Sequence, residues 1–269
     1  MISLTLHRQF TVPLECENVL PDVTAGLSHA ELAALPVFMG KRQYRLDEFF
    51  TVEGERSDQL EIAGDCAKVK WLGRGMSRGR LTVRGNAGMH LGSQMSGGTI
   101  EVTGNASDWV GAEMRGGTIT VGGNAGGQIG AAYRGGTTGM RGGTIIIGGA
   151  AGLEVGMRMK RGTIIIRGPV RDFAGLQMRG GTIVLESGAE IRTGAWMARG
   201  TILSLVPLQL LPTFHYACSD QPVVVRLLSR ALQPLGTRLP TDSAQGTWDR
   251  YAGDSSVPGK GEILVWRPA

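Results

Sequence analysis

The chain carries only three cysteines in 269 residues, Cys16, Cys66 and Cys218, and their irregular spacing offers neither a disulfide framework nor a Cys-x-x-Cys metal pair. A reducing, cytoplasmic setting is the expectation. Aromatic residues make up 6 % of the chain and lysines number five. The interleaved aromatic and basic side chains of a nucleic-acid interface are missing, so no nucleic-acid partner is expected. No apolar run approaches the roughly 18 residues of a membrane span, and the opening MISLTLHRQF lacks the apolar stretch of a secretion signal. Membrane insertion is therefore not expected. The four histidines, His7, His29, His90 and His215, are dispersed, with no carboxylate or cysteine at metal-ligand spacing. Gly259-Lys260-Gly261 lacks the other positions of a phosphate loop. These absences leave no catalytic or metal residue to assign.

What the chain has in excess is glycine, 43 residues, of which 35 fall between positions 59 and 200. Hydrophobic residues stand at an ordinary 42 %, so a core can form and the chain is neither collagen nor a low-complexity tail. Short β-branched runs recur through the glycine-rich stretch: Leu60-Glu61-Ile62, Leu81-Thr82-Val83, Ile100-Glu101-Val102, Ile119-Thr120-Val121, Ile145-Ile146-Ile147, Ile164-Ile165-Ile166, Ile183-Val184-Leu185 and Ile202-Leu203. Thr99, Thr118, Thr144, Thr163, Thr182 and Thr201 precede the last six at intervals of 19 residues, save one interval of 26 that reads as a seven-residue insertion near 137–143. Met95, Met114, Met159, Met178 and Met197 form a further column, with Tyr133 standing in their place once.

A helical repeat is excluded, because glycine at several positions per copy would cost about 1 kcal/mol each inside helices. Extended runs punctuated by glycine turns stack instead, with equivalent residues about 4.8 Å apart along an axis. The fold class expected is mainly β, a right-handed parallel β-helix of about seven to eight coils of 19 residues over 59–206. The first and third strand positions then point inward. Ala87, Ala106, Ala125 and Ala189 mark an inward position read as too tight for more than a methyl group. Asn86, Asn105 and Asn124, with Asp65 earlier, occupy a corner where side-chain amides can share hydrogen bonds up the stack. His90 reads as a solvated outward position, and the methionines as core filler.

Residues 1–58 break the pattern and read as a small α/β cap, with a strand over 1–12, a short helix over 27–35 behind Ser28, and a strand over 49–52 leading into the first coil. Residues 207–269 read as a capping or docking segment. In it 223–232 is helix or strand, 250–254 a loop, and 259–265 opens into a last strand.

Net charge is +5, with 23 of the 28 basic residues being Arg. Arg78, Arg115, Arg141, Arg161, Arg179 and Arg199 precede the closing glycines and read as one column. Like charges about 5 Å apart repel, so something must compensate. Either the side chains splay into water or pair with Glu113 and Glu154, or they meet an acidic partner surface or a polyanion, which a guanidinium fork suits.

Met114-Arg115-Gly116-Gly117-Thr118-Ile119 and Met178-Arg179-Gly180-Gly181-Thr182-Ile183, with Gly-Asn-Ala-Gly at 85–88 and 123–126, resemble the β-helical C subunit of formylmethanofuran dehydrogenases. The same fold occurs in the C-terminal domain of the glutamate synthase large subunit. The ending Tyr251-Ala252-Gly253-Asp254 with Gly259-Lys260-Gly261-Glu262 is similar to the C-subunit tail, so the resemblance spans nearly the whole chain. It implies a subunit of either a tungsten or molybdenum dehydrogenase or the formyltransferase/hydrolase complex of methylotrophs. Arginine dominance suits a GC-rich bacterium and hence the second. In either home the resemblance implies that chemistry belongs to other chains, an amidohydrolase-like chain holding zinc and a formyltransferase chain. The cofactors, a methanofuran analogue and tetrahydromethanopterin, belong to the complex, and none is expected to be bound by this chain. The family cofactor carries a glutamate-rich tail that the arginines would suit. A stand-alone glutamate-synthase-type subunit and an autonomous β-helix enzyme are the other classes. The second needs clustered carboxylates or a junction histidine, which the repeat lacks.

Overall fold

The structure, a computed structural model, describes residues 1–269. It is mainly β, with a 13-stranded sheet and a separate four-stranded sheet. The large sheet is built from the repeat. Gln59–Ala63, Arg80–Arg84, Thr99–Val102, Thr118–Val121, Arg141–Ile147, Arg161–Ile166, Arg179–Leu185 and Arg199–Ser204 pair in parallel, each with its neighbour in the repeat. The register places like on like: Ile100 beside Ile119, Ile119 beside Ile145, Ile164 beside Ile183. A second parallel ladder of single bridges links Cys66, Ala87, Ala106, Ala125, Ala151, Val170 and Ala189. Val170 is 1 % exposed in that ladder, so the position accepts more than a methyl group.

The first and third strand positions are buried throughout, as in Leu81 and Val83 or Ile183 and Leu185. Methionine forms an unbroken column, because Met140 and not Tyr133 takes the place in the fourth copy: its N–H bonds to Gly130 O, as that of Met114 bonds to Gly111 O. The insertion is therefore 133–139. Each methionine methyl lies under the closing glycine of the next copy, Met76 under Gly98, Met95 under Gly117, Met140 under Gly162. Those glycines have φ from +79° to +112°, a region open to glycine without strain. The expected side-chain bond forms at the first step, where Asn86 Nδ2 donates to Asp65 Oδ1 at 3.1 Å, and above it the asparagines bond differently. Asn86 Oδ1 accepts from the Asn105 N–H at 2.9 Å, Asn105 Oδ1 from Asn124 N–H and Asn124 Oδ1 from Ala150 N–H, each at 2.8 Å. The corner is thus laced side chain to backbone, which satisfies donors that a turn would leave open.

Both ends are covered. Ile2–Leu6 adds a parallel strand beside Gln59–Ala63, and Phe50–Glu53, which precedes Gln59–Ala63 in the chain, pairs antiparallel with Ile2–Leu6 at the edge of the sheet. The helix near the start is His29–Ala33, with the Glu31 carboxylate accepting from Ser28 N–H at 2.9 Å. At the other end Glu262–Pro268 pairs in parallel with Arg199–Ser204, Ile263 beside Ile202. Residues 250–252 belong to the strand Gly246–Ala252, which pairs antiparallel with that last strand.

The middle strand position changes character along the axis. Glu61, Thr82, Glu101 and Thr120 are partly exposed, whereas Ile146, Ile165, Val184 and Leu203 are buried in a second cluster with Val225, Leu232, Leu239, Trp248, Leu264 and Trp266. The helix Val223–Leu232 and the strands around Trp248 lie on the outer face of the last four copies. The apolar middle residues are there because that face is covered.

Candidate functional site

No three His, Cys, Asp or Glu side chains gather in a geometry suited to a metal ion. Cys16 and Cys66 are buried, and burial pushes the Cys16 thiol far up and that of Cys66 up to about 12, so both remain protonated, inert thiols at neutral pH. The largest hollow, about 530 Å³, runs along Ala125, Ala151, Val170 and Ala189 and holds no histidine or cysteine. Its charged pair, Arg171 and Glu190, is self-satisfied at 3.8 Å.

His90 is half-buried in an aromatic stack and does not stand free in solvent. Trp71 and Trp109 hold the equivalent position in the neighbouring copies, and all three residues have φ near +67°. The His90 ring stacks on Trp71 with centroids 3.9 Å apart, and Tyr133, from the insertion, stacks on Trp109 at 4.9 Å while its hydroxyl meets His90 Nδ1 at 3.0 Å. Arg74 lies over Trp71 at 4.7 Å. Burial, helped by Lys70 and Arg74 and opposed by Asp108, pushes His90 down to about 4. The imidazole is therefore neutral at pH 7 and serves the stack. Because the unfolded value, about 6.5, lies above the folded one, the unfolded chain takes up the proton first. Stability falls as pH drops from about 6.5 towards 4. Allowing for solvent screening of the half-exposed ring, His90 contributes about 1 kcal/mol to that loss. Unfolding midpoints at pH 7 and pH 4.5 should show it, and His90→Gln should flatten the slope.

The six arginines occupy two neighbouring registers and not one column. Arg115, Arg141 and Arg179 directly follow the buried methionines, with Lys160 filling the same register between the last two. Arg78, Arg161 and Arg199 stand one residue further on, where other copies carry glycine. The ladder slips here, so Arg141 pairs with Arg161 and Arg179 with Arg199. All six side chains are exposed, and none has a carboxylate within 4 Å. Glu113 is engaged by the Gln94 amide at 3.2 Å and the Tyr133 N–H at 3.3 Å, and Glu154 by the Gln128 amide at 3.0 Å. The pairing within the chain that charge alone suggested does not form, and the guanidinium groups splay into solvent. Trp196 and Val257, which no repeat position singled out, share a cleft with Arg179. The signal for Trp196 in the sequence is a tryptophan in a column otherwise held by Gly75, Gln94, Glu113, Ala132, Arg158 and Gln177.

The geometry defines a class of protein: stacked glycine-closed repeats presenting an uncompensated basic face, with no cluster of reactive groups. Residues 49–217 match the GXGXG motif family, and the chain belongs to that family. A chain in the crystal structure of the formyltransferase/hydrolase complex (FhcABCD) from Methylorubrum extorquens with methylofuran is similar over 99 % of both chains, at 35 % identity and a TM-score of 0.90. The C subunit of the tungsten-containing formylmethanofuran dehydrogenase 2 of Methanothermobacter wolfeii is 40 % identical over 96 residues, 34 % of this chain and 36 % of that protein. Its counterpart in the molybdenum-containing formylmethanofuran dehydrogenase 1 of Methanothermobacter thermautotrophicus is 44 % identical over 85 residues, 31 % and 21 %. The matched segment thus spans about a third or less of these curated relatives. No helix is long and apolar enough to cross a membrane.

Proposed function

We propose that this chain is the non-catalytic structural subunit of a cytoplasmic formyltransferase/hydrolase complex of tetrahydromethanopterin-dependent one-carbon metabolism. In that role the formyl group passes from 5-formyl-tetrahydromethanopterin to a methanofuran analogue on a formyltransferase chain. It is then hydrolysed to formate on an amidohydrolase-like chain holding zinc. This chain binds none of these groups and holds the others in place. The end-to-end likeness to a chain of such a complex carries the reading. The parallel register of equivalent residues supports a right-handed parallel β-helix over 59–206, with 1–58 as an N-terminal cap and 207–269 as a capping and docking segment. Arg78, Arg115, Arg141, Arg161, Arg179 and Arg199 are the proposed contact for acidic partners, since their charges lack any counterion on this chain.

Co-purification from the native host tests this. A formyltransferase chain and an amidohydrolase-like chain should accompany the protein at fixed stoichiometry, and the isolated polypeptide should show no formyl transfer or hydrolysis. A molybdopterin-binding chain among the companions would move the assignment to the metal-dependent dehydrogenase. Turnover by the isolated chain would overturn it.

A further inference from the structure

We infer that the cleft between Trp196 and Arg179 is the anchor point for a partner subunit, taking an apolar side chain flanked by carboxylates; the inference rests on the assembly role proposed above. The column to which Trp196 belongs holds a left-handed backbone everywhere but at Ala132: Gly75 has φ +68°, and Gln94, Glu113, Arg158, Gln177 and Trp196 have φ between +52° and +58°. The other copies fill this position with small or long polar residues, of which Ala132 is buried and Gln94, Glu113, Arg158 and Gln177 are partly exposed. Trp196 instead leaves half of its surface, 50 %, in water. Nothing on this chain covers it, although its backbone is pinned by the Asp254 carboxylate, which accepts the Trp196 N–H at 2.7 Å. A large apolar ring on a fixed backbone loses little entropy on binding, which is why tryptophan and arginine recur at the centres of protein interfaces.

Arg158, Gln177, Arg179, Ala198 and Val257 complete a shallow cleft of about 450 Å³ with this ring. No acidic residue lines it. Arg158 is committed to Gln177 Oε1 at 2.7 Å and to Gly136 O, so its position is set while its charge stays uncompensated. Arg179 is free of any ion pair, and Arg199 stands beside it in the ladder. An apolar wall next to two unopposed guanidinium groups selects an apolar side chain with Asp or Glu beside it. It disfavours a basic segment and a purely apolar one.

The complex purified from its host provides the test, with the photocrosslinker p-benzoylphenylalanine in place of Trp196. Illumination should join this chain to one partner subunit, at a segment with at least two Asp or Glu within five residues of the attached apolar residue. Arg179→Glu should weaken assembly at least tenfold, and Lys41→Glu, in the exposed turn after Pro36–Met39, should leave it unchanged. Trp196→Phe, which keeps the fold and an aromatic face, should weaken it less than Trp196→Ala. An intact complex without an adduct overturns this inference alone. So does an adduct on a segment without carboxylates, or on a second copy of this chain. Failure of the unsubstituted chain to co-purify with any partner overturns the assembly role and this inference with it.

Discussion

Gly117→Val should lower the unfolding free energy by about 3 kcal/mol. A Cβ at Gly117 would sit 2.6 Å from Met95 Cε and 2.8 Å from the Gly98 carbonyl oxygen, on a backbone with φ +87°. The methionine tip can swing away, but the carbonyl belongs to the backbone of the preceding copy and cannot. Left-handed backbone costs a residue with a side chain about 1–2 kcal/mol, and crowding in a packed core adds about 1–3 kcal/mol. At this chain length the sum corresponds to a fall of roughly 6–12 °C in the melting temperature. Gly135→Ala separates the two terms. Gly135 has φ +82°, and a methyl group there would meet nothing within 4 Å, so only the backbone penalty of about 1–2 kcal/mol applies. Calorimetry of both variants should find the first at least 1 kcal/mol more damaging than the second. Equal effects would mean that the methionine column does not lie where the ladder puts it.

Trp248→Ala should remove about 3–5 kcal/mol, the usual cost of emptying a fully buried tryptophan site, and should do so locally. Trp248 is buried, its Nε1 donates to Pro240 O at 3.0 Å, and its ring packs against Trp266 with centroids 5.4 Å apart. Its cluster, with Ile146, Ile165, Val184 and Leu203, is separate from the larger cluster that runs through the repeat strands. Loss of the ring should therefore loosen 207–269 first and expose the apolar middle residues of the last four copies. Limited proteolysis should then cut within that segment while 59–206 persists. Simultaneous loss of both regions would show that the outer cover and the coils fold as one unit.

Much of this was legible because a stacked repeat turns tertiary contacts into a sequence period. The burial of Leu81, Val83, Ile100 and Val102, and the glycine turns, follow from one copy once the period of 19 is known. Four features escaped the period. The position of the insertion is ambiguous by sequence because Tyr133 keeps the spacing of the methionine column, and only the Met140 hydrogen bond to Gly130 decides it. The corner stack needed the neighbours of His90 at 71, 109 and 133 to be read together as rings on one edge. The change from Glu61, Thr82, Glu101 and Thr120 to Ile146, Ile165, Val184 and Leu203 is visible in the sequence, and it signals a covered outer face. What covers it is not visible, since the covering residues around Val225 and Trp248 carry no repeat. The arginines looked like one column because both registers precede the same closing glycine.

The arginine face is the surface on which the account stands. Phenylglyoxal modification, followed residue by residue by mass spectrometry in the free chain and in the purified complex, measures it most directly. Arg78, Arg115, Arg141, Arg161, Arg179 and Arg199 should all react in the free chain, and all six should react at least tenfold more slowly in the complex. Rates in an intact complex equal to those in the free chain would contradict the contact proposed for this face.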